Sequence, residues 1–497
     1  MATQSGVTIT PGNAGQNAMK ASEMYTGLAS DSREVKPGYL FAALPGSKAN
    51  GAEFVKDAVA RGAVAVLGRP DVAPTANALG VRFIPDENPR LGLARHAARF
   101  FGAQPKTVAA VTGTKGKSSI VAFVREIWTA LGIPAASLGT VGVVTPSGEI
   151  PLKHTTPDPI EVHRLLAQLK KDGIDHLALE ASSHGLDQFR LDGVEIAACG
   201  FTNITRDHMD YHADFEHYLR AKLRLFSEVV REGGVAVVNA DAAHADRFIA
   251  AAKLRGLKVL TVGEAGDTIK LLGREGRIDG QTLKLRHADR DYTVSLPLVG
   301  SFQASNALVA AGLVLGTYAD SGYTFSSRIF AALEHLKGAP GRLEKVAVSA
   351  SGAPIYVDYA HTPDSLEKVL AAIRPHVTGK LHVVFGCGGD RDKGKRPLMG
   401  EAAAKNADLV IVTDDNPRTE DAATIRQEAL AGAPAAREIG DRAEAIREGI
   451  AALGAGDILI IAGKGHEPYQ IVGTQTLHFS DREEAVKAAL ALGGRAA

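Results

Sequence analysis

Residues 107–131 read TVAAVTGTKGKSSIVAFVREIWTAL. A β-rich apolar run leads into Gly113-Thr114-Lys115-Gly116-Lys117-Ser118-Ser119, and Ile120, Phe123, Val124, Ile127, Trp128 and Leu131 then fall on one helical face. The pattern predicts strand, glycine-rich loop, helix. Such a loop binds phosphate because glycines let backbone N–H groups face inward and the helix N-terminus adds partial positive charge. Lys117 would neutralise outer phosphates and Ser118 could ligate Mg²⁺, so the expected ligand is a nucleoside triphosphate. The spacing departs from G-x-x-x-x-G-K-[ST], because Val111 stands five before Gly116. A glycine turn with a solvated lysine is the plainer alternative.

Outward from this segment the chain reads as α/β throughout. TVAAV, HLALE (176–180), AACGFTN (197–203) and VAVVN (235–239) alternate with helix-length segments, predicting a mostly parallel sheet covered by helices. From about Leu257 to Leu298 the chain turns polar and strand-like, which predicts a small antiparallel excursion. Upstream, YLFAAL, VAVLG and VRFI around EFVKDAVARG predict a small α/β domain, ending near FFGAQPKT. Downstream of the turn-rich KGAPGRLEK, the strands IYVDYAH, HVVFG, DLVIVT and DILIIAG predict a doubly wound, Rossmann-like domain. The expected domains are 1–103, 104–338 and 339–497, and 497 residues suit roughly three folding units.

Composition narrows the functional classes. Lys plus Arg (56) balances Asp plus Glu (56), so no global field draws the protein to nucleic acid or an anionic membrane. The start lacks a basic region before an apolar run, and no stretch of about 18 apolar residues occurs, so a cytoplasmic protein is expected. Cys199 and Cys387 lie in neither a C-x-x-C pair nor a zinc pattern and are expected to be buried thiols.

The phosphate loop, read with Glu180-Ala181-Ser182-Ser183-His184, Thr202-Asn203, Asp207-His208-Met209-Asp210-Tyr211-His212 and Ala221-Lys222, resembles the Mur ligases of bacterial cell-wall synthesis. Asp31-Ser32-Arg33, Thr155-Thr156, Gly300-Ser301-Phe302, Asn306, Gly341-Arg342, Asp358-Tyr359-Ala360-His361 and Gly463-Lys464-Gly465-His466-Glu467 extend the resemblance over nearly the whole chain. It implies an N-terminal UDP-sugar-binding domain, a central ATP-binding ligase domain and a C-terminal amino-acid-binding domain. It further implies an ATP-dependent amide ligase acting, as a monomer, on UDP-N-acetylmuramoyl-L-Ala-D-Glu: the D-glutamate γ-carboxylate is phosphorylated, an amine attacks the acyl phosphate, and ADP and phosphate leave. Asp415-Asn416-Pro417-Arg418 resembles the D-N-P-R signature of members that add meso-diaminopimelate, whereas lysine-adding members typically lack that arginine.

By the same resemblance, ATP would meet Gly113 to Ser119, Asn306, Arg342 and Asp358, and the UDP-muramoyl dipeptide would meet Ser30, Ser32, Ser47, Lys48, Ala49, Thr155, Thr156, Ser182, Gln188 and Arg190. Diaminopimelate would meet Arg391, Asp415, Asn416, Pro417, Arg418, Gly463 and Glu467. Lys117, Glu180, His208 and Lys222 would be catalytic, and Ser118, Glu180, His208 and Lys222 would hold Mg²⁺, with Lys222 carbamylated by CO₂. As a bare ammonium Lys222 would repel the metal, and its plain reading is a solvated helix lysine. Lys115 and Gln303 depart from residues commoner at their positions. A lysine-adding homologue and a folylpolyglutamate-synthase-like ligase are alternatives within the class; an ATP-dependent switch that joins nothing is the alternative outside it.

Overall fold

The predicted strand–loop–helix forms: Thr107–Thr112 is a strand and Lys117–Ala130 a helix that starts after Gly116, at φ 90°. The structure, a computed structural model, describes residues 24–46, 50–318 and 322–497. All six residues of the predicted apolar face are buried, and so are Val121 and Ala122, because a second helix, Ser301–Thr317, packs alongside. That second helix carries small and aliphatic residues on every side and is buried almost all round, as an inner helix between layers requires. Trp128, Phe123, Leu308 and Leu313 centre the resulting core.

Thr107–Thr112 is an inner strand of an eleven-stranded sheet. Its parallel run joins Ile269–Arg277, Lys258–Gly263, Val235–Asn239, Ile196–Phe201, Thr107–Thr112, His176–Glu180 and Ala135–Gly139, in that order. The antiparallel excursion is present as Ile269–Arg277, Gly280–His287 and Arg290–Leu296, attached to the edge of this same sheet. Ala135–Gly139, a buried parallel strand of small residues, had no signal in the pattern: Ala, Ser and Gly are weak strand formers, and packing decides here.

The C-terminal sheet has seven strands, and its parallel part runs Arg437–Glu438, Leu409–Asp414, Leu381–Cys387, Ile458–Ala462, Pro354–Asp358. Helices cover both faces, with one apolar cluster around Phe385 and Leu370 and another around Ile461 and Ile446. The stretch read as turn contains the start of an antiparallel strand, Glu344–Val348, which pairs with Pro354–Asp358. The first α/β region is a four-stranded parallel sheet of Gly27–Ala29, Tyr39–Ala43, Ala65–Gly68 and Arg82–Pro85. Cys199 and Cys387 are free and buried, as expected.

The chain divides into two compact units. One comprises Met1–Ala103, Asp158–Ala167 and Gln188–Gly193; the other comprises Gln104–Pro157, Gln168–Asp187 and Val194–Ala497 and holds both larger sheets. Among the described residues no helix is long and apolar enough to cross a membrane.

Candidate active site

The phosphate loop is held from behind by the end of the neighbouring strand. Thr114 N–H donates to Asn203 O at 2.9 Å, Lys115 N–H to Asn203 Oδ1 at 3.0 Å, and Thr202 Oγ1 to Lys115 O at 2.6 Å. Thr114 Oγ1 also meets Thr205 O at 3.1 Å and the Tyr218 hydroxyl at 2.9 Å. At Gly113 a Cβ would stand 2.1 Å from Thr202 Oγ1, and at Gly116 2.4 Å from Asn306 Oδ1, both at positive φ, so only glycine fits. Lys117 folds back over the loop, donating to Gly113 O at 2.9 Å and Thr114 O at 3.0 Å, and burial lowers its pKa. Both carbonyls would have to yield Lys117 to an incoming phosphate. Ser118 and Ser119 follow in the first helical turn, while Lys115 points outward, 3.9 Å from Asp207.

Glu180 ends its strand at the carboxyl edge of the parallel sheet, where α/β folds place ligands. Its side chain is 1% exposed; Oε1 accepts from Thr140 N–H at 2.8 Å and Oε2 from Thr140 Oγ1 at 3.4 Å. Glu180 and Ser118 line one cavity with Arg125, Ser137 and Gly139. Thr155 Oγ1 meets Thr140 Oγ1 at 3.0 Å. Thr156 Oγ1 donates to Glu180 O at 2.9 Å and accepts from Ser182 N–H at 3.1 Å, and Ser182 Oγ caps Gly185 N–H at 3.0 Å. Thr140 and Arg125 carried no signal in the sequence, since neither sits in a motif.

Lys222 is not a solvated helix lysine. It lies in the helix Phe215–Arg224, is 1% exposed, donates to Gly113 O at 2.7 Å and sits 4.6 Å from the Tyr218 ring centre. Burial, reinforced by Lys117, pushes its pKa far below the usual lysine value. The phosphate loop therefore has two lysines on one carbonyl. His208 lies in the exposed loop after the strand Ile196–Phe201 at φ 56°, packed edge-on to His184 with ring centres 5.1 Å apart, and burial lowers its pKa. Among the described residues no set of three His, Cys, Asp or Glu side chains is gathered as a cation cage. The oxygen donors that do converge, Ser118 and Glu180 on one cavity, suit a hard cation such as Mg²⁺.

Gln303, a departure by sequence, acquires a role. Fully buried, it accepts from Asn306 Nδ2 at 3.0 Å and donates to Arg342 O at 3.2 Å, linking the two expected nucleotide contacts. Arg342 lies over the Tyr359 ring at 4.8 Å. Asp358 ends its strand buried, accepting from Leu343 N–H and Ala360 N–H, both at 2.8 Å, and burial raises its pKa. The Tyr359 hydroxyl donates to Glu467 at 3.4 Å, so this one ring touches groups of both expected sites.

The proposed diaminopimelate residues converge at the carboxyl ends of three adjacent strands. Asn416 Oδ1 accepts from Lys464 Nζ at 3.2 Å and Ile471 N–H at 2.9 Å, and its Nδ2 donates to Glu467 Oε2 at 3.4 Å. Burial raises the pKa of Glu467, opposed by Lys464. Asp415 and Pro417 are buried, and Asp415 Oδ2 lies against Gly463, where φ is 120°. Arg418 adopts φ 52°, pairs its backbone with Ile471 and donates Nη1 to Gly389 O at 2.7 Å. Arg391 is exposed on the preceding loop. Buried Lys464 stands within the Gly463–Glu467 motif without an assigned contact, and buried Arg442 carries no sequence signal. Arg442 meets both Asp481 oxygens at 2.7 Å and donates to Ala462 O and Asp414 O, tying two of those strand ends together.

The remaining expected contacts lie in the other unit. Ser30 follows the strand Gly27–Ala29 and is exposed, Ser32 is buried, and Arg190 donates to Gln188 Oε1 at 2.7 Å. Ser47, Lys48 and Ala49 fall outside the described residues.

A phosphate loop and a buried carboxylate, with a second doubly wound sheet, mark an α/β protein built to bind a nucleotide, and the chain belongs to the Mur ligase family of three-domain, ATP-using ligases. It matches the Mur ligase family catalytic domain over 24–101, the Mur ligase middle domain over 111–314, and the Mur ligase glutamate ligase domain over 341–465. A relative from Bradyrhizobium diazoefficiens, named UDP-N-acetylmuramoyl-L-alanyl-D-glutamate--2,6-diaminopimelate ligase, is 57% identical over 94% of this chain and 95% of its own. A solved structure carrying the same name superposes at TM-score 0.71, with 35% identity over 94% of this chain and 95% of that one. Folylpolyglutamate synthase from Mycobacterium tuberculosis, with ADP and AMPPCP, shares the fold at TM-score 0.59 and 18% identity, covering 75% and 92%.

Proposed function

We propose that the protein joins meso-2,6-diaminopimelate to the D-glutamate γ-carboxylate of UDP-N-acetylmuramoyl-L-alanyl-D-glutamate, using ATP, in the cytoplasm and as a monomer. Residues 1–103 take the UDP end, 104–338 the ATP and the dipeptide acid, and 339–497 the amino acid. The observation that carries this reading is Arg418, an arginine at φ 52° beside Asn416, whose side-chain amide meets Lys464 and Glu467. A second substrate carboxylate needs a bidentate, permanently charged partner when it leaves water, and lysine as substrate has none to offer.

The chain's own groups divide the work. Lys117 leaves the loop carbonyls for the outer phosphates of ATP as the γ-carboxylate approaches and takes up the γ-phosphoryl group, the β–γ phosphate bond breaking and ADP leaving. Asn306 and Arg342, linked by Gln303, hold the nucleotide. Glu467 and Asp415 orient the distal amino end of the diamino acid, while its other amine attacks the acyl phosphate and expels phosphate. Two Mg²⁺ ions, one held beside Ser118 with the ATP phosphates and the other by Glu180, His208 and Lys222, would offset charge in phosphoryl transfer. Lys222 suits this set once carbamylated: its neutral amine adds to CO₂, forms an N–C bond and releases a proton, becoming an anion. Its burial supports a neutral amine.

The test is an amino-acid panel with the UDP-muramoyl dipeptide and ATP, read as phosphate release and product mass. Diaminopimelate-dependent phosphate release with a conjugate of matching mass is expected. ATP consumption indifferent to added amine would instead leave a switch, and product only with L-lysine would leave a lysine-adding enzyme.

A further inference from the structure

Two loops would present guanidinium groups to the diamino acid. One follows the strand Leu381–Cys387 and bears Arg391; the other follows Leu409–Asp414 and bears Arg418. Two charged forks discriminate only when their separation is held, and loops do not hold themselves. Beneath both loops lies Arg396, in the first turn of the helix Lys395–Asn406 and 0% exposed. Its Nη1 donates to Glu428 at 2.6 Å and Glu420 at 3.1 Å, and its Nη2 to Glu420 at 2.9 Å and Gly388 O at 3.2 Å. Glu420 also accepts from Asp390 N–H at 2.6 Å. Asp390 in turn accepts from the Thr419 hydroxyl at 2.7 Å and Thr419 N–H at 3.2 Å. Every one of these bonds except that to Glu428 belongs to the Arg391 loop, the Arg418 loop, or both.

Stability alone does not account for this arrangement. A buried cation loses its hydration, apolar residues of similar size often stabilise as well, and Arg396 Nε is left without a partner. What a buried ion pair does well is fix register between the elements it joins. Resting on the diaminopimelate reading above, we propose that Arg396 and Glu420 form a positioning pair that sets the spacing of Arg391 and Arg418. The pair thereby selects a diamino acid with a second carboxylate over one without. Neither residue touches substrate; both act through the loops.

The full-length enzyme is assayed as wild type, Glu420→Gln, Arg396→Lys and Thr419→Val, each checked by a melting curve. KM and kcat are measured for meso-diaminopimelate, L-lysine, ATP and the UDP-dipeptide. Glu420→Gln keeps shape and loses charge; KM for diaminopimelate is expected to rise on the order of tenfold, and the preference over L-lysine to fall comparably. The KM values for ATP and UDP-dipeptide, and kcat at saturating diaminopimelate, should stay within about twofold of wild type. Arg396→Lys should behave like Glu420→Gln, because an ammonium cannot span the fork. Thr419→Val, at an exposed position, should shift the same quantities less. A folded Glu420→Gln enzyme with unchanged diaminopimelate KM overturns the proposal, as does equal loss on all substrates or a wild-type-like Arg396→Lys. A wild-type enzyme that ignores diaminopimelate overturns the functional reading itself, and is seen before any variant is assayed.

Discussion

Lys222 and Arg418 show how much a single side chain carries. A lysine whose folded pKa lies below its unfolded value binds fewer protons when folded than when unfolded. Stability therefore rises with pH across the window between the two values, and the burial penalty is fully present below the folded one. In bicarbonate-free buffer without metal, Lys222→Met should melt no lower than wild type near neutral pH. The gap should narrow as pH approaches about 10, the ordinary lysine range. A gap independent of pH would mean that Lys222 is not desolvated. Lys222→Ala should be inactive and partly rescued by added short carboxylates, which can stand where the carbamate would; absence of rescue at any concentration argues against the modification. On the proposed reading, Arg418→Ala removes a fork for a desolvated carboxylate and should cost about 2–5 kcal/mol in kcat/KM for diaminopimelate. ATP binding, measured by titration calorimetry, should persist, because the Arg418 guanidinium bonds to Gly389 O and Asn416 O and not to the phosphate loop.

At the scale of elements, the phosphate loop and its helix depend on backbone that only glycine supplies. Gly116→Ala imposes a left-handed conformation on a residue with a Cβ, costing about 1–2 kcal/mol, and pushes on Asn306 as well. The melting temperature should drop and the Kd for ATP rise, with diaminopimelate affinity little changed; equal effects on both ligands would show that the strain spreads beyond the loop. The helix after this loop was legible from periodicity because its apolar face is wide and continuous. The strand Glu344–Val348 was not, because glycines and a proline crowd its start and its pairing with Pro354–Asp358 is settled only when the sheet closes. Ala135–Gly139 hid for the opposite reason: its residues are small enough to suit a buried strand, a turn or a helix equally.

Across the whole molecule, many of the expected site residues collect at the carboxyl ends of parallel strands. Gly113, Glu180 and Thr202 lie just beyond strands of the central sheet, or at their ends; Asp358, Asp415 and Gly463 do so in the C-terminal sheet. Gln303 bridges Asn306 and the Arg342 backbone, the two residues expected to meet the nucleotide. Ligand binding to the folded state alone should therefore stabilise both sheets together. ATP at about a hundred times its Kd is expected to add about 2.7 kcal/mol, seen as one upward-shifted melting transition. Arg342→Ala should lose most of that shift at the same ATP concentration; an undiminished shift would remove Arg342 from the nucleotide site.

The sequence by itself determined the α/β class, the phosphate loop, a mostly parallel central sheet and the motifs that mark a Mur ligase, because periodicity and glycine placement are local properties written residue by residue. Tertiary structure alone decided that Lys222 is a buried, easily neutralised amine, that Gln303 joins Asn306 to Arg342, and that Arg396 lies beneath the two arginine loops. Burial and charge pairing are made between segments far apart in the chain, and desolvation acts on a group only once the whole fold has closed around it.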